Sequence, residues 1–323
     1  MAEIRLSGIY KEYDLHTYGL EDVSLTFADG SLATIVGMPG SGKSTLLNLI
    51  GGIVDITSGD LYFGGERFND VEPKRRDVCL MREGEGPGGT AADSITYGLR
   101  LRGMPRGETE RRLRLAAELL GLTDVLGTKV KKLSPLMRRR VSLARGAARM
   151  PAIFLLDDPY FELEGGDRLA LAEDIRRVHA ETGLTVIVAS SFGDDAFLAG
   201  GDVIVLKSGR VVQRGGEREL TESPADMFVA SFVGPDPCVF VRDGDCVTGV
   251  RRSDISVDRD GDRECTVVSS DGKNVYVRLE PDSPVIALPF DGNAEEGSAL
   301  RLRFARTLRF DPETGALLCG KVK

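Results

Sequence analysis

The sequence predicts an α/β fold, a largely parallel sheet covered by helices, followed by a small all-β domain. Three observations carry this expectation. Apolar strand-like runs alternate with helical runs up to about residue 234, and such alternation implies parallel strands with helices on their faces. A glycine-rich loop joins one of these strands to a helix. Beyond Gly234-Pro235-Asp236-Pro237-Cys238 the pattern is strand alone, and the Gly and Pro residues there mark a boundary.

The elements follow in order. SLATIVG (31–37) reads as a short buried strand and KSTLLNLIGGI (43–53) as a helix. AIFLLDD (152–158) is a second apolar strand, and LTVIVASS (184–191) a third. Between them, DRLALAEDIRRVHAETG (167–183) places Leu171, Ile175 and Val178 at i, i+4 and i+7, one apolar helix face. In the tail, CTVVSS and NVYVRLE flank Asp271-Gly272, a hairpin-turn signal. LRLRFARTLRF (300–310) alternates apolar and charged residues, as one half-buried strand does. The expected domains are 1–234, with a helical subdomain over roughly 88–150, and 235–323.

Composition narrows the function classes. The 323 residues carry a formal charge of −8, and the pI is near 5.1. Nucleic-acid binding usually leaves a basic footprint, so no nucleic-acid partner is expected. The one basic cluster, Lys129, Lys131, Lys132, Arg138, Arg139 and Arg140, reads as a solvated helix face. No apolar run approaches the ~20 residues that cross a bilayer, and the first residues lack a signal-peptide core. Five cysteines without C-x-x-C spacing read as reduced thiols of a cytosolic protein. Only His16 and His179 are present, which argues against a histidine metal site or triad.

The strongest chemical signal is Gly37-Met38-Pro39-Gly40-Ser41-Gly42-Lys43-Ser44-Thr45, which fits G-x-x-x-x-G-K-[ST]. By average residue usage this pattern arises by chance in about one chain in a hundred of this length. Glycines let backbone N–H groups wrap a phosphate, and the following helix N-terminus adds partial positive charge. In that setting Lys43 reaches the β/γ-phosphates of ATP and the Ser44 hydroxyl ligates Mg²⁺. The strand AIFLLDD delivers Asp157 to the C-terminal edge of the sheet, where it serves as a second magnesium-side residue.

These motifs, with the segments between and after them, resemble the ATP-binding subunits of ABC transporters, most closely the maltose/glycerol-phosphate type of sugar importer. SFVGPDPCVF, GVRRSDI and LRFDPETGALL resemble that group's C-terminal regulatory β domain. GGDVIVLKSGRVVQRG resembles the close of its nucleotide-binding domain, and YGLRLRG the start of its helical subdomain. The resemblance implies a P-loop NTPase of ABC type followed by an OB-like, TOBE-like regulatory domain. It implies a peripheral position on the cytoplasmic face of the cell membrane and two ATPase subunits sandwiching ATP. Integral-membrane permease subunits and, indirectly, an extracytoplasmic solute-binding protein are the implied partners. Tyr13 in YKEYD is placed by the resemblance on the adenine; a packing aromatic near a strand end is the equal alternative. Soluble relatives in translation or DNA maintenance carry tandem ATPase domains or long coiled coils, which this sequence lacks.

Several positions depart from the family pattern. The LSGGQ signature reads Leu133-Ser134-Pro135-Leu136-Met137. Ser134 still offers a hydroxyl to nucleotide, but Pro135 has no N–H and Leu136 adds bulk where glycines are needed. Locally the stretch reads as a helix start, with Ser134 as N-cap and Pro135 at the first helical position. Asp158 stands where the family has a catalytic glutamate, one methylene shorter. Ser191 stands at the switch histidine and cannot carry an imidazolium charge. The magnesium-sensing glutamine falls near CLMREGEGPGG, at Glu83, with Met81 the alternative. The loop that usually reads SALD is Phe161-Glu162-Leu163-Glu164. The implied protein binds Mg-ATP and hydrolyses it slowly or with an intact partner. Its alternative is a catalytically inactive structural or regulatory subunit.

Overall fold

Two sheets and a helical layer build the first of two units, Met1–Arg214. The computed structural model describes residues 3–14, 17–82, 86–281, 283–292 and 294–322. The strands are β1 (Ile4–Asp14), β2 (Thr17–Phe27), β3 (Leu32–Val36), β4 (Ser58–Phe63), β5 (Glu66–Arg67), β6 (Val78–Arg82), β7 (Ile153–Asp157), β8 (Thr185–Ser190), β9 (Asp202–Lys207) and β10 (Arg210–Gly215). The helices are α1 (Lys43–Gly51), α2 (Ala91–Leu101), α3 (Arg106–Leu119), α4 (Pro135–Arg149) and α5 (Gly165–Thr182). An antiparallel sheet runs β2-β1-β4-β5 and a six-stranded sheet runs β10-β9-β3-β8-β7-β6. In the latter β6/β7, β7/β8, β8/β3 and β3/β9 all pair parallel.

Strand periodicity explains why the parallel strands are apolar throughout. Ile153 and Leu155 of β7, with Ile187 and Ala189 of β8, face one core with α1 and the antiparallel sheet. Phe154, Leu156, Val186 and Val188 point to the other face, into a core with α2, α4 and α5. Burial on both faces replaces alternation by a continuous apolar run. The expected apolar face of α5 is present, with Leu171, Ile175 and Val178 buried. Asp174 on the same helix is also buried, and Arg140 of α4 pairs with it at 2.7 Å. The basic cluster is therefore divided. Lys129, Lys131, Lys132 and Arg138 are exposed, whereas Arg139 is buried and donates to the Phe161 carbonyl at 2.9 Å.

The second unit is Gly215–Lys323. It opens with α6 (Glu217–Glu222) and α7 (Met227–Phe232). The strands that follow are β11 (Cys238–Asp243), β12 (Cys246–Arg251), β13 (Ile255–Val257), β14 (Arg263–Ser270), β15 (Asn274–Arg278), β16 (Val285–Pro289), β17 (Ala299–Phe304), β18 (Arg306–Phe310) and β19 (Leu317–Val322). Its sheets run β11-β12-β18-β19 and β13-β17-β14-β15-β16. The division at 214/215 precedes the 234/235 expected from composition. Backbone bonds tie the start of α7 to the β unit: Met227 N donates to Gly315 O at 2.9 Å, and Leu317 N to Ala225 O at 3.2 Å.

The Asp271-Gly272 turn forms as expected, with Asp271 accepting from the Lys273 and Asn274 amides at 2.9 and 2.7 Å. The run 300–310 corrects a simpler expectation. It is two strands broken at Ala305, whose N–H donates to Asp254 O at 2.8 Å. β17 pairs with β13 and β14, whereas β18 pairs with β12 and β19. A period of two cannot show that a chain changes sheets midway, because both halves keep the same alternation.

Gly146 of α4 has a packing reason. A β-carbon there would overlap the ring of Phe154, which is fully buried. In an open helix Gly→Ala gains about 0.5–1 kcal/mol. Here overpacking costs about 1–3 kcal/mol and should win. Gly146→Ala is expected to lower denaturant stability by about 1–2 kcal/mol, and adding Phe154→Leu to recover part of that loss. Urea melts of the two variants check it.

Candidate functional site: a phosphate loop and its acidic wall

The site lies where β3, β7 and β8 end and α1 begins. The residues from Gly37 to Gly42 form the loop, and Lys43 opens the helix. Gly42 has φ 103° and its absent β-carbon would overlap the Gly19 carbonyl, so this position admits glycine alone without rearrangement. Gly40 has φ 81° with open space where a side chain would stand. Met38 is exposed, whereas Ser41 and Lys43 are buried. The Lys43 ammonium turns back on the loop and donates to Gly37 O at 2.7 Å and Met38 O at 3.1 Å.

One helical residue further on, Ser44 Oγ donates to Asp157 Oδ1 at 3.0 Å. The hydroxyl and carboxylate expected to share a magnesium ion are thus adjacent, although 113 residues apart in sequence. Two hard oxygen donors beside a phosphate cradle fit Mg²⁺, which is held by one or two carboxylates plus substrate phosphates. Burial pushes the Lys43 ammonium below its usual range, against the pull of Asp158 and Asp157. Burial likewise pushes the Asp157 carboxyl up, reinforced by Asp158 and opposed by Ser44, Arg82 and Lys43.

Asp158 takes φ 46°, a left-handed conformation uncommon for a residue other than glycine. Its N–H donates to Ala189 O at 2.9 Å. Both its carboxylate oxygens are engaged by Ser191, from the backbone N–H at 2.7 Å and from Oγ at 2.9 Å. The residues at the expected catalytic positions are therefore bonded to each other. Behind them Ser190 Oγ donates to buried Asp195, which also pairs with Arg168.

Tyr13 on β1 is half-exposed, and its hydroxyl lies 3.2 Å from Thr45 Oγ1. The Lys11 ammonium sits 5.3 Å from its ring centroid. This brings an aromatic face to the phosphate loop. Ser134 stands apart from this group. It caps α4 by accepting from Met137 N at 3.3 Å, with Pro135 at the first helical position. In the 161–164 loop, Glu162 has φ 63° and Phe161 is exposed. Glu83 lies outside the described residues. Its alternative, Met81, is buried in the core against α2 and α4.

Sequence reasoning passed over Arg82. It lies opposite Asp157 in the parallel β6/β7 register, and its Nε is 3.7 Å from Asp157 Oδ2. Its guanidinium also donates to Asn48 Oδ1. Asn48 follows Ser44 by four residues on α1, so the helical repeat signals that the two share a face.

The loop, its lysine and the strand-end aspartate define a nucleotide-binding P-loop protein. The profile described as ABC transporter matches residues 20–160. The chain is 36% identical over 236 residues to the oligosaccharides import ATP-binding protein MsmX of Bacillus subtilis (strain 168), covering 72% of this chain and 65% of that one. It is 33% identical over 298 residues to the sn-glycerol-3-phosphate import ATP-binding protein UgpC of Brucella abortus (strain 2308), covering 87% and 84%. The match thus spans slightly less than two thirds of MsmX and most of UgpC. A bacterial ABC transporter cassette solved as a dimer superposes with TM-score 0.59 at 27% identity, covering 66% of this chain and 98% of that one. CbiO1 from Clostridium perfringens shares the fold, with TM-score 0.61 at 23% identity, covering 67% and 89%. The chain belongs to the ABC transporter family of ATP-binding proteins.

The raised Asp157 carboxyl carries a pH prediction. A carboxyl whose folded value is raised gives stability that is full below its unfolded value and lost as pH rises through the folded one. Asp157→Asn removes that loss. The nucleotide-free variant is expected to melt a few degrees above the wild type at neutral pH. The gap should close as the buffer is taken below the ordinary carboxylate range, which paired thermal melts at several pH values would read.

Proposed function

We propose that this chain is the ATP-binding subunit of an importer of the carbohydrate class. The observation that carries the reading is the phosphate loop with Lys43 buried in it and Ser44 bonded to Asp157. Gly37 to Gly42 wrap the phosphates with backbone N–H groups, Lys43 neutralises them, and Thr45 positions Tyr13 against the adenine. Ser44 and Asp157 hold Mg²⁺, which when bound neutralises charge on the phosphates. The similarity to the oligosaccharide and glycerol-phosphate import proteins supports the solute class.

The partners that follow are integral-membrane permease subunits and a second ATPase subunit, with an extracytoplasmic solute-binding protein engaged indirectly. The working position is the cytoplasmic face of the membrane. Among the described residues no helix is long and apolar enough to cross a membrane. The residues from 235 onward form the TOBE-like regulatory part, and 88–150 the helical subdomain that meets the permeases.

Turnover is slow in this reading. Asp158 is the shortened carboxylate that polarises water, and Ser191 holds both its oxygens. A carboxylate with both oxygens already engaged is not free to orient a water molecule, and a ~1 Å misplacement costs about 100-fold in rate. Ser134 lends its hydroxyl across a subunit interface, without the glycines that allow close approach. ATP turnover by the purified chain and by its assembled transporter tests this. The pair of changes Asp158→Glu and Ser191→His is expected to raise turnover by about 10- to 100-fold, and Lys43→Ala to abolish nucleotide uptake. Rapid turnover by the wild-type chain alone, lost in Asp158→Asn, would refute slow hydrolysis.

A further inference from the structure

We infer that Arg82 is a built-in counter-cation of the nucleotide site, so that this chain grips a nucleoside triphosphate with little dependence on a divalent metal. The inference deepens the proposed function and rests on that reading of the loop. Three elements converge on the guanidinium. β6 delivers it in register with Asp157, α1 offers Asn48 one turn beyond Ser44, and β7 ends in the Asp157 carboxylate. The Ser44–Asp157 pair and the Arg82–Asp157 pair share one carboxylate, on opposite oxygens: Ser44 on Oδ1 and Arg82 on Oδ2. Arg82 therefore borders the corner in which Ser44 and Asp157 would hold a metal.

Charge counting shows what this changes. Lys43, Asp157 and Asp158 alone leave the corner with one negative charge in excess, which repels a polyphosphate unless a cation intervenes. Among the described residues Arg82 brings the sum to zero. An arginine keeps its charge at any pH a protein tolerates, and its planar fork suits phosphate oxygens as well as carboxylates. The Arg82 side chain is 27% exposed and that of Asp157 11%, so bulk salt screens this pair less than a surface one. The same guanidinium repels a divalent ion and competes with it for Asp157. The site thus trades part of its affinity for metal against affinity for the nucleotide itself.

The experiment uses the full chain and a non-hydrolysable ATP analogue, with affinity read by calorimetry in excess Mg²⁺ and in excess EDTA. For the wild type the two dissociation constants should agree within about threefold. In Arg82→Gln the EDTA value should weaken by about tenfold or more relative to Mg²⁺, as expected when a partly desolvated unit charge is removed beside a phosphate. Arg82→Lys, which keeps the charge and loses the fork, should fall between them. A wild-type chain whose affinity falls about tenfold or more on metal removal overturns the inference, whatever the variants do. Equal metal dependence in wild type and Arg82→Gln also overturns it. Failure of the wild type to bind in either condition sinks instead the nucleotide-binding reading on which it stands.

Discussion

The burial of Lys43 at the sheet edge, with its ammonium turned onto its own loop, organises the first unit. Lys43 is almost wholly withdrawn from water, held by loop carbonyls on one side and the charges of Asp157 and Asp158 on the other. Burying an ammonium is costly; the loop carbonyls accept from it, and Asp157 and Asp158 arrive near enough to pull against that cost. They do so because β7 is a short apolar strand buried on both faces, which fixes where its last residue emerges. The helix α1 must then start directly above it, and Gly42 permits the loop to pass close under Gly19. Loop, helix and strand are thus one electrostatic unit.

Around that unit the two sides of the chemistry are treated differently. On the side of binding, Gly40 leaves open space where a side chain would stand in the loop, and Tyr13 leaves an aromatic face beside it. At the positions expected for bond cleavage, Asp158 and Ser191 satisfy each other, and the backbone of Asp158 is held in a left-handed turn by Ala189. Buried Asp195, bonded to Ser190 and Arg168, stiffens the same strand end. A carboxylate so constrained has little freedom to follow a reacting group. These contacts leave both oxygens of Asp158 engaged within the chain itself. Arg82 adds a positive charge beside the Asp157 carboxylate at the same sheet edge.

The altered signature also has a plain structural role. Ser134 and Pro135 start α4 cleanly, and α4 supplies Arg139 and Arg140 to the Phe161 carbonyl and the buried Asp174. The segment continues to hold the helical layer against β7 even where its approach to nucleotide is hindered. In the second unit, backbone bonds from Met227 to Gly315 and from Leu317 to Ala225 tie the start of α7 to the β body.

Local rules made much of this legible in the residues alone. The glycine–lysine–serine spacing fixed the phosphate loop, because only that order gives a tight turn, exposed N–H groups and a helix start together. Continuous apolar runs ending in acid marked β7, and the i, i+4, i+7 spacing of Leu171, Ile175 and Val178 marked the face of α5. Ser134 with Pro135 was readable as a cap for the same reason. What tertiary structure alone decided is where non-neighbouring charges meet. Arg82 reaches Asp157 through the register of two parallel strands joined by a long crossover, and no local pattern sets that register. The change of sheet at Ala305 and the attachment of α6 and α7 to the β unit have the same origin. Turns and helices are written in contacts between near neighbours, whereas strand partners and buried ion pairs are chosen by the packing of the whole core.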